Sequence, residues 1–479
     1  MRKSFDKMNP DYDLVVLGGG PGGYPCAIRA AQLGLKTAIV ERDRLGGECL
    51  NYGCIPSKAL IGVSNLYEKV SEGAKYGLKA SDVRLDFQTL QKWKQGVVDS
   101  FVSGVGMLCK GNGVEVVMGN AKISDRNTLL IENMGENRAS RSLTFKKLVV
   151  ATGSFPAELP DIKFDGKLVI GSKEALELST IPSSMLVIGG GAIGLEIATM
   201  YAKLGTKITV VEVMDQLLPG LDLDLVRVVQ RGLERRGVTI HLKSKVVGLE
   251  NREGSVRADV ETPEGRMSLE AQKVLLSVGR KPRSGEIGLE KIGVSTDAKG
   301  YIITDRRMMT NIEGIYAIGD VRGPPMLAHK ATKEGIVAAE SAAGLTTVAE
   351  WKAVPDAVFT DPEIATAGMT EKAALAAGFK PKATRFSFAA LGRAMTAGQT
   401  EGFVKIVSDQ QSNLVLGVQI VGYEASDLIS EAALAIEMGA TVEDIALTIH
   451  PHPTMPEAIM EAAESAAGHP VHQLRLKGT

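Results

Sequence analysis

Cysteine is scarce in this chain of 479 residues, with four in all, and tryptophan scarcer still at two. Four thiols in so long a sequence exclude a secreted scaffold stapled by disulfides and fit a reducing compartment, where a paired cysteine tends to do chemistry. An excess of one charge sign is also missing: 55 basic against 56 acidic side chains leave a formal net charge of -1. That balance gives no nucleic-acid footprint and no polybasic arm for a membrane surface. No apolar run approaches the roughly 18 residues that cross a bilayer. Met1 to Pro10 has basic residues but no apolar core behind them. Neither membrane insertion nor a signal peptide is therefore expected, and the location expected is cytoplasmic. What remains is ordinary globular composition, long enough for about three domains.

Glycine, in contrast, is abundant, and its placement is informative. Tyr12 to Leu17 is an apolar, β-prone run that ends in Gly18-Gly19-Gly20-Pro21-Gly22-Gly23. A helical pattern follows from Ala27 to Leu33 and stops at Gly34, and a second strand, Lys36 to Val40, ends at Glu41. Strand, glycine turn, helix, strand and acid make a complete βαβ dinucleotide-binding unit. Gly18 makes the tight turn, Gly20 admits the pyrophosphate and Gly23 lets helix and strand pack, while Glu41 can accept from a ribose. The unit then returns. Strand Ser184 to Ile188, turn residues Gly189, Gly191 and Gly194, helix Leu195 to Leu204, and strand Lys207 to Val211 ending at Glu212 repeat it at one constant offset. Two units with identical internal spacing predict two bound dinucleotides in an α/β fold. Glu212 suits a free ribose 2′-hydroxyl and repels a 2′-phosphate, so the second nucleotide is read as NAD and not NADP.

The intervening chain is less regular. Leu66 to Lys110 reads as largely helical and Val114 to Glu132 as short strands. Leu148 to Val150, followed by Ala151-Thr152-Gly153, is a strand ending in a glycine turn. Beyond Val278-Gly279-Arg280-Lys281-Pro282, the run Thr310 to Asp320 places a carboxylate just after a buried strand. Gly344 to Val354 reads as a linker. After it, strands (Gly402 to Val407, Val415 to Val421) alternate with helices (Ser426 to Met438, Pro456 to Ala467), an α+β pattern.

Two of the four cysteines, Cys49 and Cys54, sit together soon after the first glycine turn. On an ideal helix their Cα atoms would lie about 8 to 9 Å apart, and a disulfide needs about 4.4 to 6.8 Å. If they pair, the backbone has to leave the helix, and Gly53 permits that. Such a small loop gains little chain entropy from closure, which favours a redox pair over a staple. Two buried thiols or half of a metal site are the alternatives. Lys58, four residues after Cys54, falls on the same helical face and would favour a nearby thiolate. Near the C-terminus, His450 and His452 have no third or fourth ligand placed to complete a metal site, so no metal is expected. Glu457, five residues past His452, can hold the imidazole as an acid/base.

These residues resemble the class I pyridine nucleotide-disulfide oxidoreductases, within them the branch that oxidises dihydrolipoyl groups. The likeness runs from Tyr12 almost to the end: Gly18 to Gly23, Gly47 to Lys58, Ala151-Thr152-Gly153, Gly189 to Glu196, Gly314 to Asp320, Leu327-Ala328-His329-Lys330-Ala331, and His450 to Glu457. It implies two Rossmann-like dinucleotide-binding domains, for FAD and NAD, and a C-terminal α+β dimerisation domain. The implied division is 1–155 and 279–350 for FAD, 156–278 for NAD and 351–479 for the dimer interface. FAD would meet Gly18, Gly20, Gly23, Glu41, Lys58, Thr152, Gly153, Asp320 and Ala328; NAD would meet Gly189, Gly191, Gly194, Glu212 and Gly279. Cys49 would be the thiol facing substrate and Cys54 the one beside the flavin, with Lys58 paired to Glu196. His452 and Glu457 would act from the partner subunit of a homodimer, and the His452–Pro453 bond resembles one that is cis in relatives. The implied reaction is oxidation of a lipoyl dithiol, carried by a subunit of a 2-oxoacid dehydrogenase or glycine cleavage complex, with NAD as final acceptor. Reduction of another disulfide by NAD(P)H and a non-catalytic flavoprotein subunit are the alternatives. Some positions depart from the family pattern: Glu48 stands where threonine is common, Tyr52 and Pro456 are less usual, and Cys26, on the first nucleotide helix, reads as a small buried apolar residue. Cys109 has no assigned role.

Overall fold

The computed structural model describes residues 10–132, 140–285 and 287–474. Two compact units result, one from Met1–Leu60, Asp86–Ala157 and Gly279–Glu350, the other from Ile61–Leu85, Glu158–Val278 and Trp351–Thr479.

The first unit is organised by β1 (Tyr12–Leu17), α1 (Gly23–Gln32) and β2 (Thr37–Glu41). Both strands are almost continuously buried, the mark of a parallel sheet covered on both faces. β1 pairs in parallel with β2 on one side and with Ser140–Val150 on the other. Glu115–Met118 and Ile315–Ala317 extend the parallel sheet outward on the two sides. The chain therefore leaves β1 in opposite directions, which opens a crevice at the carboxyl ends of β1 and Ser140–Val150, the usual place for a ligand in such a sheet. Helix Ala328–Ala342 lies against α1 so closely that a Cβ on Gly335 would meet the Gly22 carbonyl oxygen at 2.3 Å.

The second unit repeats the plan. Thr239–His241, Lys207–Val211, Ser184–Ile188, Lys273–Leu276 and Val169–Ile170 form a five-stranded parallel sheet. Three antiparallel strands within Lys245–Ala271 accompany it. After residues 345–355, which carry neither helix nor strand as the linker reading expects, a five-stranded antiparallel sheet packs helices Ala425–Met438 and Glu457–Ala467 over one core.

The stretch read as largely helical from Leu66 to Lys110 is so, with one interruption: α3 (Cys54–Ser71) stops, and a new helix starts at Phe87. Gly77 and Asp82 in between adopt φ of 81° and 59°, which no right-handed helix contains. Asp86 then caps the new helix by accepting from the Gln88 and Thr89 amides, each at 3.0 Å.

Candidate active site

The glycines of the two turns divide by what surrounds them. A Cβ on Gly18 or Gly23 would come within 2.4 or 1.9 Å of backbone oxygen, and one on Gly189 or Gly194 within 2.5 or 2.4 Å of Ser277 oxygens. The middle glycines differ: Gly20 meets only the Gly47 Cα, at 3.8 Å, and Gly191 meets nothing within 4 Å. Outer glycines thus hold the turn together and middle ones face open space, where a pyrophosphate can approach. Both following helices start without a side-chain cap and without an acid in the first turn. Helix Ala192–Lys203 leaves its leading amides for an anion, whereas in α1 the Tyr24 amide donates to the Gly20 carbonyl at 3.1 Å and Pro25 has none, so that helix offers chiefly its positive dipole end. The residues present fit a dinucleotide at each unit.

Glu41 and Glu212 are engaged alike. Glu41 accepts from the Gly19 amide at 2.7 Å and the Asp43 amide at 2.8 Å; Glu212 accepts from Gly190 at 2.5 Å and Met214 at 2.8 Å. Each carboxylate braces its own turn, and its remaining lone pairs are what a ribose hydroxyl would use.

The cysteines lie where the first turn meets the next helix. α2 (Gly47–Tyr52) begins after Gly46, at φ 91°, and runs to Gly53; α3 resumes at Cys54. A Cβ on Gly47 would sit 2.6 Å from the Gly20 Cα, so the thiol helix starts in contact with the phosphate turn. Asn51 clamps this start by donating to the Leu45 and Gly47 carbonyls, at 3.0 and 2.8 Å. At Gly53 the backbone leaves the helix (φ -132°, ψ -107°), as the redox-pair reading required. A Cβ there would be 3.2 Å from the Glu48 carbonyl oxygen. The break brings the Cys49 and Cys54 thiols into hydrogen-bond contact. Sharing that proton with Cys54, together with burial, pushes the Cys49 thiol far up, while Lys58 pulls the other way toward thiolate. Cys54 is the more exposed of the two. Cys26 is fully buried, which pushes its thiol up to about 12 and agrees with its reading as an apolar filler.

Ser154, Arg280 and Arg283 join the site unforeseen. The Glu48 carboxylate pairs with Arg280 at 2.5 Å, Arg280 Nε donates to Ser154 Oγ at 2.7 Å, and that hydroxyl donates to Asp320 at 2.5 Å. Asp320 is thereby tied to the turn after Thr152, whose own hydroxyl donates to the Arg283 carbonyl at 2.7 Å. The only sequence signal was that Arg280 belongs to the run around Gly279, read as a landmark. Gly279, at φ 116°, accepts through its carbonyl from the Ala157 amide and turns the chain into the strand that carries Arg280. Ala328 opens helix Ala328–Ala342, where Glu334, fully buried, receives the Gly319 amide at 2.7 Å and fixes the turn bearing Asp320.

In the second unit His452 is 78% exposed, and its Nδ1 lies 2.8 Å from Glu457 Oε1. Burial raises the Glu457 carboxyl, but the Thr454 amide and His452 outweigh it and hold the acid below its usual range. The ring is thus oriented by a carboxylate at Nδ1 on a side chain that is largely exposed. The His452–Pro453 bond is cis. His450, in contrast, is buried between the Thr448 carbonyl and Glu431, each 2.8 Å from a ring nitrogen. Glu196 is buried in the second turn of helix Ala192–Lys203 and accepts from the Phe359 amide at 3.0 Å. No helix among the described residues is long and apolar enough to cross a membrane.

Comparison with known proteins agrees. The family model for pyridine nucleotide-disulphide oxidoreductases matches residues 12–335, and that for the family's dimerisation domain matches residues 354–463. A dihydrolipoyl dehydrogenase of Haloferax volcanii is 48% identical over 464 residues, covering 96% of this chain and 98% of that one. One from Geobacillus stearothermophilus is 45% identical, with 96% and 97% covered. The crystal structure of LpdA from Mycobacterium tuberculosis superposes with a TM-score of 0.87 at 26% identity, over 95% of this chain and 99% of that one. The resemblance read from the sequence holds over nearly the whole chain, which belongs to the pyridine nucleotide-disulphide oxidoreductase family.

Proposed function

We propose that this protein oxidises a carrier-bound dihydrolipoyl dithiol to its disulfide, with NAD as final acceptor. The observation that carries the proposal is the interrupted helix, which sets Cys49 and Cys54 in contact beside a glycine turn suited to a dinucleotide. The names of the similar enzymes from Haloferax volcanii and Geobacillus stearothermophilus support the choice of substrate.

The cysteine pair enters the reaction as a disulfide. His452, oriented by Glu457, takes a proton from one substrate thiol. The resulting thiolate attacks Cys49 Sγ; the Cys49–Cys54 bond breaks and Cys54 leaves as thiolate, stabilised by Lys58. The second substrate thiol attacks the substrate sulfur of the mixed disulfide, its proton passing to Cys49 as that thiol departs. Two electrons have then moved from substrate to the pair. FAD held at the first unit would supply the electron-acceptor chemistry that links the cysteine pair to NAD. Gly18, Gly20, Gly23, Glu41, Thr152, Gly153, Asp320 and Ala328 would hold FAD; Gly189, Gly191, Gly194, Glu212 and Gly279 would hold NAD, and Glu196 would pair with Lys58. The matched dimerisation segment supports a homodimer as the working unit, in which His452 of one copy would serve the thiols of the other. The division into 1–155 with 279–350, 156–278 and 351–479 follows the same plan. The carrier would be the lipoyl-bearing subunit of a 2-oxoacid dehydrogenase or glycine cleavage complex, in the cytoplasm.

A steady-state assay tests this directly, comparing dihydrolipoamide with NAD against glutathione disulfide with NADPH. Turnover with the first pair is expected. Turnover confined to the second would overturn the proposal, and none with either, in flavin-loaded protein, would favour a non-catalytic subunit.

A further inference from the structure

Glu48 puts a carboxylate directly before Cys49, at a position where the family pattern leads one to expect threonine. Left alone, that charge would oppose a thiolate on its neighbour. The structure gives it a fixed partner. Arg280 reaches across from its own strand and pairs with Glu48 at 2.5 Å, the two side chains only 16% and 34% exposed. The guanidinium is not free to swing, because its Nε also donates to Ser154 at 2.7 Å, and Ser154, nearly fully buried, is bound in turn to Asp320. A half-buried, doubly held arginine is screened far less than a surface pair. The charged or titratable groups that act most strongly on Cys49 are Cys54 and Lys58, and Tyr24 feels Cys49 in return. Around Arg280, the field at Arg283 comes from Arg42, Glu48, Arg280 and Glu41.

We infer that Arg280 is a positioning residue for the Cys49 thiol: it neutralises Glu48 and fixes its carboxylate, so that Cys49 can ionise next to an acid in the chain. The inference rests on the proposed redox role of Cys49. It also gives the departure at Glu48 a compensating residue, which the sequence order alone hides.

The test is a charge-pair cycle on the FAD-loaded protein, reduced with a phosphine and alkylated by iodoacetamide between pH 5 and 10. Peptide mass spectrometry reads modification at Cys49 alone. Arg280→Met removes the direct partner of Glu48 and leaves only the more distant Arg283 to offset its charge, so the pH midpoint of alkylation rises and the rate at pH 7 falls on the order of threefold to tenfold. Glu48→Gln leaves the Arg280 cation unpaired and moves the midpoint down. The double variant returns close to the parent. An Arg280→Met midpoint that does not rise overturns the inference. So does a double variant as displaced as Arg280→Met, since Arg280 would then act without Glu48. If Arg280→Met does not fold, Glu48→Gln decides by itself: a midpoint that fails to fall is a negative result. Alkylation needs no substrate, so wild-type failure with dihydrolipoamide and NAD would count against the proposed function and leave this cycle standing.

Discussion

Replacing Gly191 by alanine should separate nucleotide binding from folding. Gly191 sits at the start of helix Ala192–Lys203 with φ -80° and ψ 176°, a conformation that alanine adopts without strain. Its added methyl meets nothing within 4 Å. Loss of glycine's freedom in the unfolded chain favours the variant, and a poorer helix start disfavours it; the two offset to within about 1 kcal/mol. The thermal midpoint should therefore stay close to the parent's. The methyl nevertheless projects into the open side of the turn, where a pyrophosphate has to come into backbone contact. Displacing it should raise the KM for NAD about tenfold to a hundredfold, roughly 1.4 to 2.8 kcal/mol, with flavin content unchanged. Gly194→Ala is the contrasting variant. Its methyl would fall 2.4 Å from Ser277 Oγ and 2.6 Å from the Gly189 carbonyl oxygen. Overpacking of that kind costs about 1 to 3 kcal/mol, so this variant should lose stability first. Scanning calorimetry and a titration of initial rate against NAD distinguish the two. A Gly191→Ala protein of normal stability and unaltered KM for NAD would refute the assignment of the second turn to a nucleotide.

Other outcomes can be stated more briefly. His452→Gln, at a side chain 78% exposed, should leave folding intact and lower the rate of dithiol oxidation by about 10² to 10⁴; rapid-reaction kinetics showing less than a tenfold loss would remove His452 from the proton transfer. Lys203, whose side chain is only 1% exposed, meets Asn65 at 2.6 Å, Glu68 at 3.0 Å and Asp361. Lys203→Met leaves Glu68 and Asp361 sharing Arg236 alone, and urea unfolding should report a loss of about 3 kcal/mol. At Asp361 burial raises the carboxyl, but Lys203 and Arg236 outweigh it, so the acid lies below its usual value. The folded state favours the carboxylate, so its stabilisation is present above the unfolded aspartate range of about 4 and is lost as pH falls through the lowered folded value. Asp361→Asn should flatten that acid-side decline in thermal midpoint; an unchanged slope would refute the linkage.

How much of this was legible in the sequence depended on whether the signal was local. β1, Ser184–Ile188 and Lys207–Val211 appear where apolar runs meet glycine, because a buried parallel strand is defined by its own residues. The break between Cys49 and Cys54 was expected from bond geometry and one glycine if the two thiols pair, and the backbone does leave the helix at Gly53. The gap before Phe87 did not, since it depends on a positive φ at Asp82 that composition does not announce. Least legible were polar contacts between distant segments. Glu48 and Arg280 lie 232 positions apart, and neither residue alone signals the other. Lys203, in the last turn of its helix, is closed in by carboxylates from elsewhere in its unit, which its own neighbours in the sequence do not announce. Glu41 and Glu212 were located by spacing, but their service as braces for the turns emerged only from the amides they hold.

The abutment of Gly47 on Gly20 places two separate duties on one pair of backbone atoms. No side chain lies between them to absorb a displacement, so a change at either position alters the seat of the phosphate and the register of Cys49 together. A variant library drawn at these two sites should accordingly yield one joint phenotype, in which cofactor retention and thiol reactivity fail in step, and not two traits that selection could tune apart.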